Sequence, residues 1–288
     1  MRTLAHVSDL HFGRLDPAVV AALEADLAAQ APDLVVVSGD LTQRGRHHEF
    51  LEARAFLDRL ERPLLVVPGN HDVPAYNLVS RFLWPYRRFT RHIAADLFPL
   101  VADAEMAVLG LNTARRALGH WNWALGSLNV RQLDRAAREL ATHGAGRIRV
   151  IVTHHPAVPP TEHRHGPLLF HAERALAAFA DSRVDLMLSG HLHRSHATLV
   201  TAPAIGGTGA PAWPMILAGA GSATSTRLRD EANGYTVVRL QARPPRLWVE
   251  TRGWDGAGFE TRGVQVFDRQ DGHWSAAPGE SVDALASR

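Results

Sequence analysis

The chain has 288 residues, 46% hydrophobic and 21% charged, a balance that suits one large globular domain or two modest ones and excludes a disordered or fibrous chain. It contains no cysteine, which excludes a disulfide scaffold, thiolate-ligated zinc, iron–sulfur ligation and a thiol nucleophile. Net charge is +2, and all 31 basic residues are arginine. A guanidinium hardly titrates, so the pI of 9.6 reflects the choice of base and gives no sign of nucleic-acid binding.

Residues 1–9 lack the apolar stretch and small-residue cleavage site of a secretory leader, so a cytoplasmic location is expected. Residues 3–8 read as a strand. Asp16 is a helix N-cap with Pro17 at the first helical position, followed by Val19, Val20, Leu23 and Leu27 at helical spacing. Residues 33–38 form a continuous apolar run, as in a strand buried on both faces. A helix is predicted over 49–60 and a strand over 64–67. This β-α-β-α-β rhythm implies parallel strands joined by right-handed crossovers.

The aromatic and basic segment 76–97 reads as a helix interrupted at Pro85. Strands are expected over 104–112, 147–153 and 184–189, and helices over 129–142 and 169–180. Beyond Ala197 the texture changes to short strands, at 197–201, 214–218, 234–240 and 246–251. The uncharged stretch 197–226 is broken by prolines and glycines and reads as strands and loops, with no membrane span. The expected fold is α/β, a four-layer α/β/β/α sandwich of two mixed sheets flanked by helices. One domain is expected over 1–252, with 77–100 a candidate cap, and a C-terminal extension over 253–288 that is either a last hairpin or poorly ordered.

Five predicted strands end in polar residues: Asp9-Leu10-His11, Gly39-Asp40, Gly69-Asn70-His71-Asp72, His154-His155 and Gly190-His191-Leu192-His193. Parallel strands share the edge where their C-terminal ends lie, so these residues would converge. Carboxylate, imidazole and amide donors without thiolate suit Mn, Fe or Zn, with Co or Ni as further candidates. The donors exceed the needs of one ion, and Asp40 is the natural bridge between two. Two metals about 3.5–4 Å apart polarise a phosphoryl group and acidify a bridging water, which points to in-line hydrolysis of a phosphate ester. The glycines preceding the ligands are read as sharp turns. The pairs Asp9/His11 and His191/His193 are read as extended backbone with both side chains on one side.

The ordered series D-x-H, G-D, G-N-H-D, H and G-H-x-H resembles the calcineurin-like metallophosphoesterase superfamily over about two thirds of the chain, and in detail its bacterial cyclic-nucleotide and glycerophosphodiester phosphodiesterase branch. The resemblance implies that Asp9, His11 and His193 hold one metal, that Asn70, His154 and His191 hold the second, and that Asp40 bridges them. It implies that His71 donates a proton or hydrogen bond to the leaving oxygen. The residues themselves do not choose between His154 and His155 as ligand; the family pattern favours His154, leaving His155 to a supporting or substrate contact. Asp72 is expected to orient a histidine or cap the next segment.

The expected activity is a phosphodiesterase in which a metal-bridging hydroxide attacks a small diester, with 3′,5′-cyclic nucleotides the leading substrate. Glycerophosphodiester or phospholipid cleavage and broad phosphatase action are the alternatives, and a non-catalytic scaffold of the same fold is the alternative of another class. A homodimer is implied by the resemblance, and no stable nucleic-acid partner is expected. Asn112, Arg115 and His155 are candidate substrate contacts. For the cap group of Arg81, Trp84, Tyr86, Arg87, Arg88, Phe89 and Arg91, the favoured reading is an amphipathic helix with core aromatics and a solvated arginine face. His6, His47, His48, His92, His120, His143, His163, His165, His196 and His273 are assigned structural or solvated places. The glycine clusters at 206–209 and 219–221 are read as tight turns, because no lysine follows them.

Overall fold

The computed structural model describes residues 1–117, 122–158, 168–202, 213–226 and 231–277. His120, His163, His165, the glycine cluster at 206–209 and the end of the expected C-terminal extension, 278–288, lie outside the described residues. In chain order the elements are β1 (Arg2–Val7), α1 (Pro17–Gln30), β2 (Leu34–Val37), α2 (His47–Arg59), β3 (Leu64–Val66), α3 (Leu78–Leu83), α4 (Arg87–His92), β4 (Leu100–Ala102), β5 (Met106–Gly110), β6 (Gly126–Ser127), α5 (Val130–His143), β7 (Ile148–Val152), β8 (Leu169–Phe170), α6 (Ala172–Asp181), β9 (Leu186–Ser189), β10 (His196–Ala202), β11 (Trp213–Gly219), β12 (Gly234–Ala242), β13 (Pro245–Trp254), β14 (Phe259–Gln270) and β15 (His273–Ala276).

One sheet runs β15-β14-β13-β12-β1-β2-β3, and the other runs β10-β11-β9-β7-β5-β4. In the first, β1, β2 and β3 are parallel and β12 joins β1 antiparallel. In the second, β5, β7, β9 and β11 are parallel, with β4 and β10 antiparallel at the edges.

The period-2 alternation of the strands sorts their side chains into separate cores. Leu34 and Val36 face Val150, Val152, Leu186 and Leu188 between the sheets. Val35 and Val37 point the other way, onto Val19, Leu23, Phe50 and Phe56 of α1 and α2. On the far side, Ile151, Met187 and Met215 pack against Leu133, Leu140 and Phe179 of α5 and α6. Helices outside, two mixed sheets inside: this is the four-layer α/β/β/α sandwich. Each continuous apolar run is a strand buried on both faces.

Local signals place most boundaries. The Asp16 side chain accepts from Ala18 N, and Pro17 opens α1. Asn129 caps α5 by accepting from Gln132 N. The helical segment around Pro85 is divided, α3 ending at Leu83 and α4 starting at Arg87. One helix start differs from expectation, and the chain after Gly253 takes the hairpin alternative. The helix expected from residue 169 starts at Ala172, because Leu169 pairs with Gly126 and His171 adopts a left-handed φ of 58°. The residues after Gly253 include β14, which pairs along β13, and β15 beyond it. Among the described residues no helix is long and apolar enough to cross a membrane.

Candidate metal centre

All five polar blocks meet, but they do so between two sheets. β1, β2 and β3 bring Asp9, His11, Asp40, Asn70 and His71, while β7 and β9 bring His154, His191 and His193. The two edges are stitched by His154 Nδ1 to Ser38 O at 2.8 Å and by His191 N to Asp9 Oδ2 at 2.9 Å.

The i, i+2 pairs are not extended. Asp9, His11, Asp40, His191 and His193 have φ of 53°, 53°, 52°, 71° and 57°. Left-handed backbone costs a non-glycine residue about 1–3 kcal/mol, so the surroundings must hold it. They do so through Asp9 N to Gly39 O at 3.1 Å and His11 N to Asp40 O at 3.0 Å. Asp and His tolerate this region better than branched residues do.

Of the glycines, one acts as expected and one does not. Gly39 does turn, at φ 95°. Gly190 is needed for close approach: a Cβ there would lie 1.8 Å from Ser8 Oγ and 2.7 Å from Asp9 Oδ2.

Three donor clusters share Asp40 or Asp9. Ligand atoms of Asp9, His11 and His193 lie within 4.8 Å of one another, as do those of Asp9, Asp40 and His154, and those of His11, Asp40 and His71. Asp40 Oδ2 is 3.4 Å from His154 Nε2, 3.9 Å from His11 Nε2 and 4.0 Å from His71 Nε2. Asp9 Oδ1 is 3.6 Å from His11 Nε2 and 3.5 Å from His193 Nε2. On the other side of Asp40, His154 Nε2 lies 3.1 Å from both Asn70 Oδ1 and His191 Nδ1.

The tautomers follow from the partners. His154 Nδ1 donates to Ser38 O at 2.8 Å, which turns Nε2 toward Asp40. His71 Nδ1 donates to Gln43 O at 2.7 Å, so its Nε2 is the atom facing the cluster. His155 lies behind, its Nδ1 2.8 Å from Thr113 Oγ1 and its ring 4.8 Å from that of His191. Asp72 does not orient a histidine. It accepts from Gly69 N and Thr42 N, both at 2.9 Å, and so ties the Asp40 loop to the Asn70 loop.

Charge in this pocket is strongly coupled. Burial pushes Asp9 and Asp40 up, but the histidines outweigh it: His193 first for Asp9, His154 first for Asp40, and both carboxyls sit below their ordinary range. Burial lowers His154, yet Asp40 overrides it and raises the ring to about 9. Burial and then His154 push His191 down to about 3. Two buried carboxylates thus demand positive charge between them, met by protons or by cations.

The residues fit divalent cations. Asp9 Oδ1 and both ring nitrogens of His11 are buried without a hydrogen-bond partner among the described residues, and each such atom costs about 1–3 kcal/mol unless something satisfies it. Their N and O character suits borderline divalent metals.

The other candidate substrate contacts, Asn112 and Arg115, follow the end of β5. Asn112 is buried with Oδ1 unpartnered among the described residues. The Arg115 guanidinium bonds Gln132 Oε1 and the Asn112 and Ala114 carbonyls.

The cap segment inverts the expected amphipathicity at α3. Arg81 is buried, donating to the Pro74, Arg115 and Arg116 carbonyls beneath the Trp123 ring. Leu78, Val79, Phe82, Leu83 and Trp84 are exposed instead. In α4 the expected pattern holds, with Phe89 buried and Arg87 and Arg91 exposed.

Sequence reasoning missed the supports: Ser8, Ser38, Gln43 and Thr113. A signal existed for two of them, because Ser stands just before three blocks, at Ser8, Ser38 and Ser189. Ser8 Oγ donates to Asp9 Oδ2 at 2.7 Å, and Ser38 supplies the carbonyl for His154.

The chain is similar in sequence and in fold to known proteins. The sequence model of the family described as calcineurin-like phosphoesterase matches residues 2–195. A "Glycerophosphodiester phosphodiesterase GpdQ" of Enterobacter lignolyticus is 45% identical over 83 residues, 24% of this chain and only 29% of that protein's length. A "Probable glycerophosphodiester phosphodiesterase GpdQ" of Arcobacter nitrofigilis is 24% identical over 77% of this chain and 76% of its own. A "Probable cyclic nucleotide phosphodiesterase" of Rhodococcus erythropolis is 28% identical over 67% of this chain and 65% of its own. Among solved structures, PhoD superposes with a TM-score of 0.72 at 12% identity, covering 97% of this chain and 72% of that one. A dimetal phosphatase from Danio rerio gives 0.62 at 14%, covering 90% and 98%. At such identities the superpositions show the fold.

Proposed function

The chain belongs to the calcineurin-like phosphoesterase family, and from that premise we propose that it is a dinuclear-metal phosphodiesterase hydrolysing small phosphodiesters, with 3′,5′-cyclic nucleotides the leading substrate. The observation that carries this reading is the place of Asp40. Its carboxylate lies between Asp9, His11 and His193 on one side and Asn70, His154 and His191 on the other. One ion would be held by Asp9, His11, His193 and Asp40, the second by Asn70, His154, His191 and Asp40. Bound there, two divalent ions supply a Lewis acid for the phosphoryl oxygens and an acidified water.

The chain's own groups do the rest. The His154 ring is fixed by Ser38 O and the His191 backbone by the bond from its N–H to Asp9, so the His154 ring does not have to reorganise on binding. Asp40 Oδ1 accepts from His71 N at 2.8 Å, which locks the His71 backbone to the carboxylate between the two donor sets. With Nδ1 held by Gln43 O, a proton on His71 Nε2 is aimed into the pocket, where it can pass to the departing ester oxygen. The side chain is 28% exposed, so substrate can reach it.

The GpdQ relatives favour a second reading, glycerophosphodiester cleavage at the same centre. Turnover of Mn-loaded protein on 3′,5′-cAMP, glycerophosphoethanolamine, bis-p-nitrophenyl phosphate and p-nitrophenyl phosphate separates these readings, and a strong preference for the monoester rejects both. Asp40→Ala is expected to abolish metal binding. His71→Ala is expected to keep the metal and lose about 10²–10⁴-fold in turnover. Equal metal loss in the two variants contradicts the role assigned to His71.

A further inference from the structure

A second polar cavity lies at the opposite end of the second sheet, where β7, β9 and β11 begin. It encloses about 430 Å³ and is lined by Arg147, Arg149, Arg183, Arg269, Asp185 and Trp213, among others. That volume falls within the range of small-molecule sites, roughly 300–1,000 Å³. Its charge is one-sided, four guanidiniums against one carboxylate.

The carboxylate is already engaged. Asp185 Oδ1 accepts from Arg269 Nη1 at 2.6 Å and from Trp274 Nε1 at 2.8 Å, and Oδ2 accepts from Arg149 N at 2.8 Å. Arg147 donates to the His143 and Asp103 carbonyls. Arg149 uses Nε on Gly144 O at 3.1 Å and Nη1 on Ser182 O at 2.6 Å. These carbonyl contacts orient the arginines without neutralising them. Burial lowers the Arg149 pKa, and Arg183 and Arg269 lower it further against the pull of Asp185. Like charges gathered at a partly buried site repel unless an anion joins them.

The placement of Arg183 is an independent sign. It follows α6 in a left-handed cap with φ 52°, closed by Arg183 N to Ala180 O and Val184 N to Phe179 O, both at 2.9 Å. That position favours glycine or asparagine. Here it carries an arginine whose guanidinium lies 5.0 Å from the Trp213 ring centroid, at the cavity wall. A fold that needed only a helix stop would be better served by glycine.

We propose that this cavity binds a phosphorylated small molecule, its phosphate held among Arg149, Arg183 and Arg269. Several arginine forks from different elements match a tetrahedral dianion better than a planar carboxylate, which one fork saturates. The proposal is independent of the metal centre, which lies where the same strands end.

Equilibrium dialysis of the metal-loaded protein against radiolabelled orthophosphate tests it. Whatever the metal centre binds, Arg183→Glu is expected to remove one phosphate site per chain relative to wild type, and Arg183→Gln to weaken that site at least tenfold. Both variants should keep diester turnover within twofold, which shows that they are folded. Equal phosphate stoichiometry and affinity in wild type and Arg183→Glu would overturn the proposal.

Discussion

Gly69→Ala probes how tightly the carboxylate between the two donor sets is held. Gly69 has φ −100° and ψ −177°, backbone that alanine adopts freely, so the substitution adds no conformational strain. The added Cβ would lie 2.1 Å from Asp40 Oδ1 and 2.4 Å from Asp40 N. An ordinary carbon–oxygen contact needs roughly 3.3 Å, so the Asp40 carboxylate or the loop must move by about 1 Å. Overpacking of this kind costs about 1–3 kcal/mol, or roughly 2–12 °C in Tm for a chain of this size. The larger effect is on the site. A misplacement of about 1 Å costs on the order of 10²-fold in rate, and disturbing what orients a ligand costs about 10–100-fold in metal affinity. Gly263→Ala is the control, because nothing lies within 4 Å of its added Cβ. Metal content, kcat/KM and thermal unfolding are measured on both. A Gly69→Ala protein with wild-type metal content and kcat/KM would refute the reasoning.

Two further outcomes concern stability. His6 is buried, with Nε2 2.8 Å from Ser38 Oγ, and burial, opposed by Asp9, lowers its pKa to about 3. The unfolded ring takes up a proton below about pH 6.5 while the folded one stays neutral, so stability falls as pH drops from about 6.5 toward 3. Urea unfolding of metal-loaded His6→Gln should therefore show a slope shallower by up to about 1.4 kcal/mol per pH unit over that window, and an unchanged slope contradicts it. Arg252 joins Asp26 of α1 to Glu250, Thr261 and the Phe259 carbonyl across the first sheet. Arg252→Met leaves Asp26 with the Tyr235 hydroxyl and Glu250 with Arg239 and Thr261, so it should cost about 1.5–3 kcal/mol by denaturant unfolding, whereas a loss within about 0.5 kcal/mol contradicts that role.

The parts of the fold that local chemistry writes were legible. Doubly buried strands appear as an unbroken apolar run at 34–37 and as a run broken only by Arg149 at 148–152, and caps appear as Asp16-Pro17 and Asn129. The polar blocks at strand ends were legible for the same reason, since donors that no core can use must have another purpose. Features that depend on distant partners were hidden. The left-handed turns at Asp9 and His191 are held by bonds from their N–H groups to the Gly39 carbonyl and the Asp9 carboxylate and leave no periodic trace. Arg81 looked solvated because its three carbonyl partners lie at Pro74, Arg115 and Arg116, two of them more than 30 positions away. β8 was absorbed into a helix because its partner strand is two residues around Gly126.

The central claim is that one carboxylate, Asp40, serves two cations in a single pocket. Elemental analysis of active, desalted protein tests it most directly. The expected result is two divalent ions per chain, with turnover lost on chelation and restored as the second equivalent returns. Full activity at one ion per chain, or hydrolysis untouched by chelators, would contradict it.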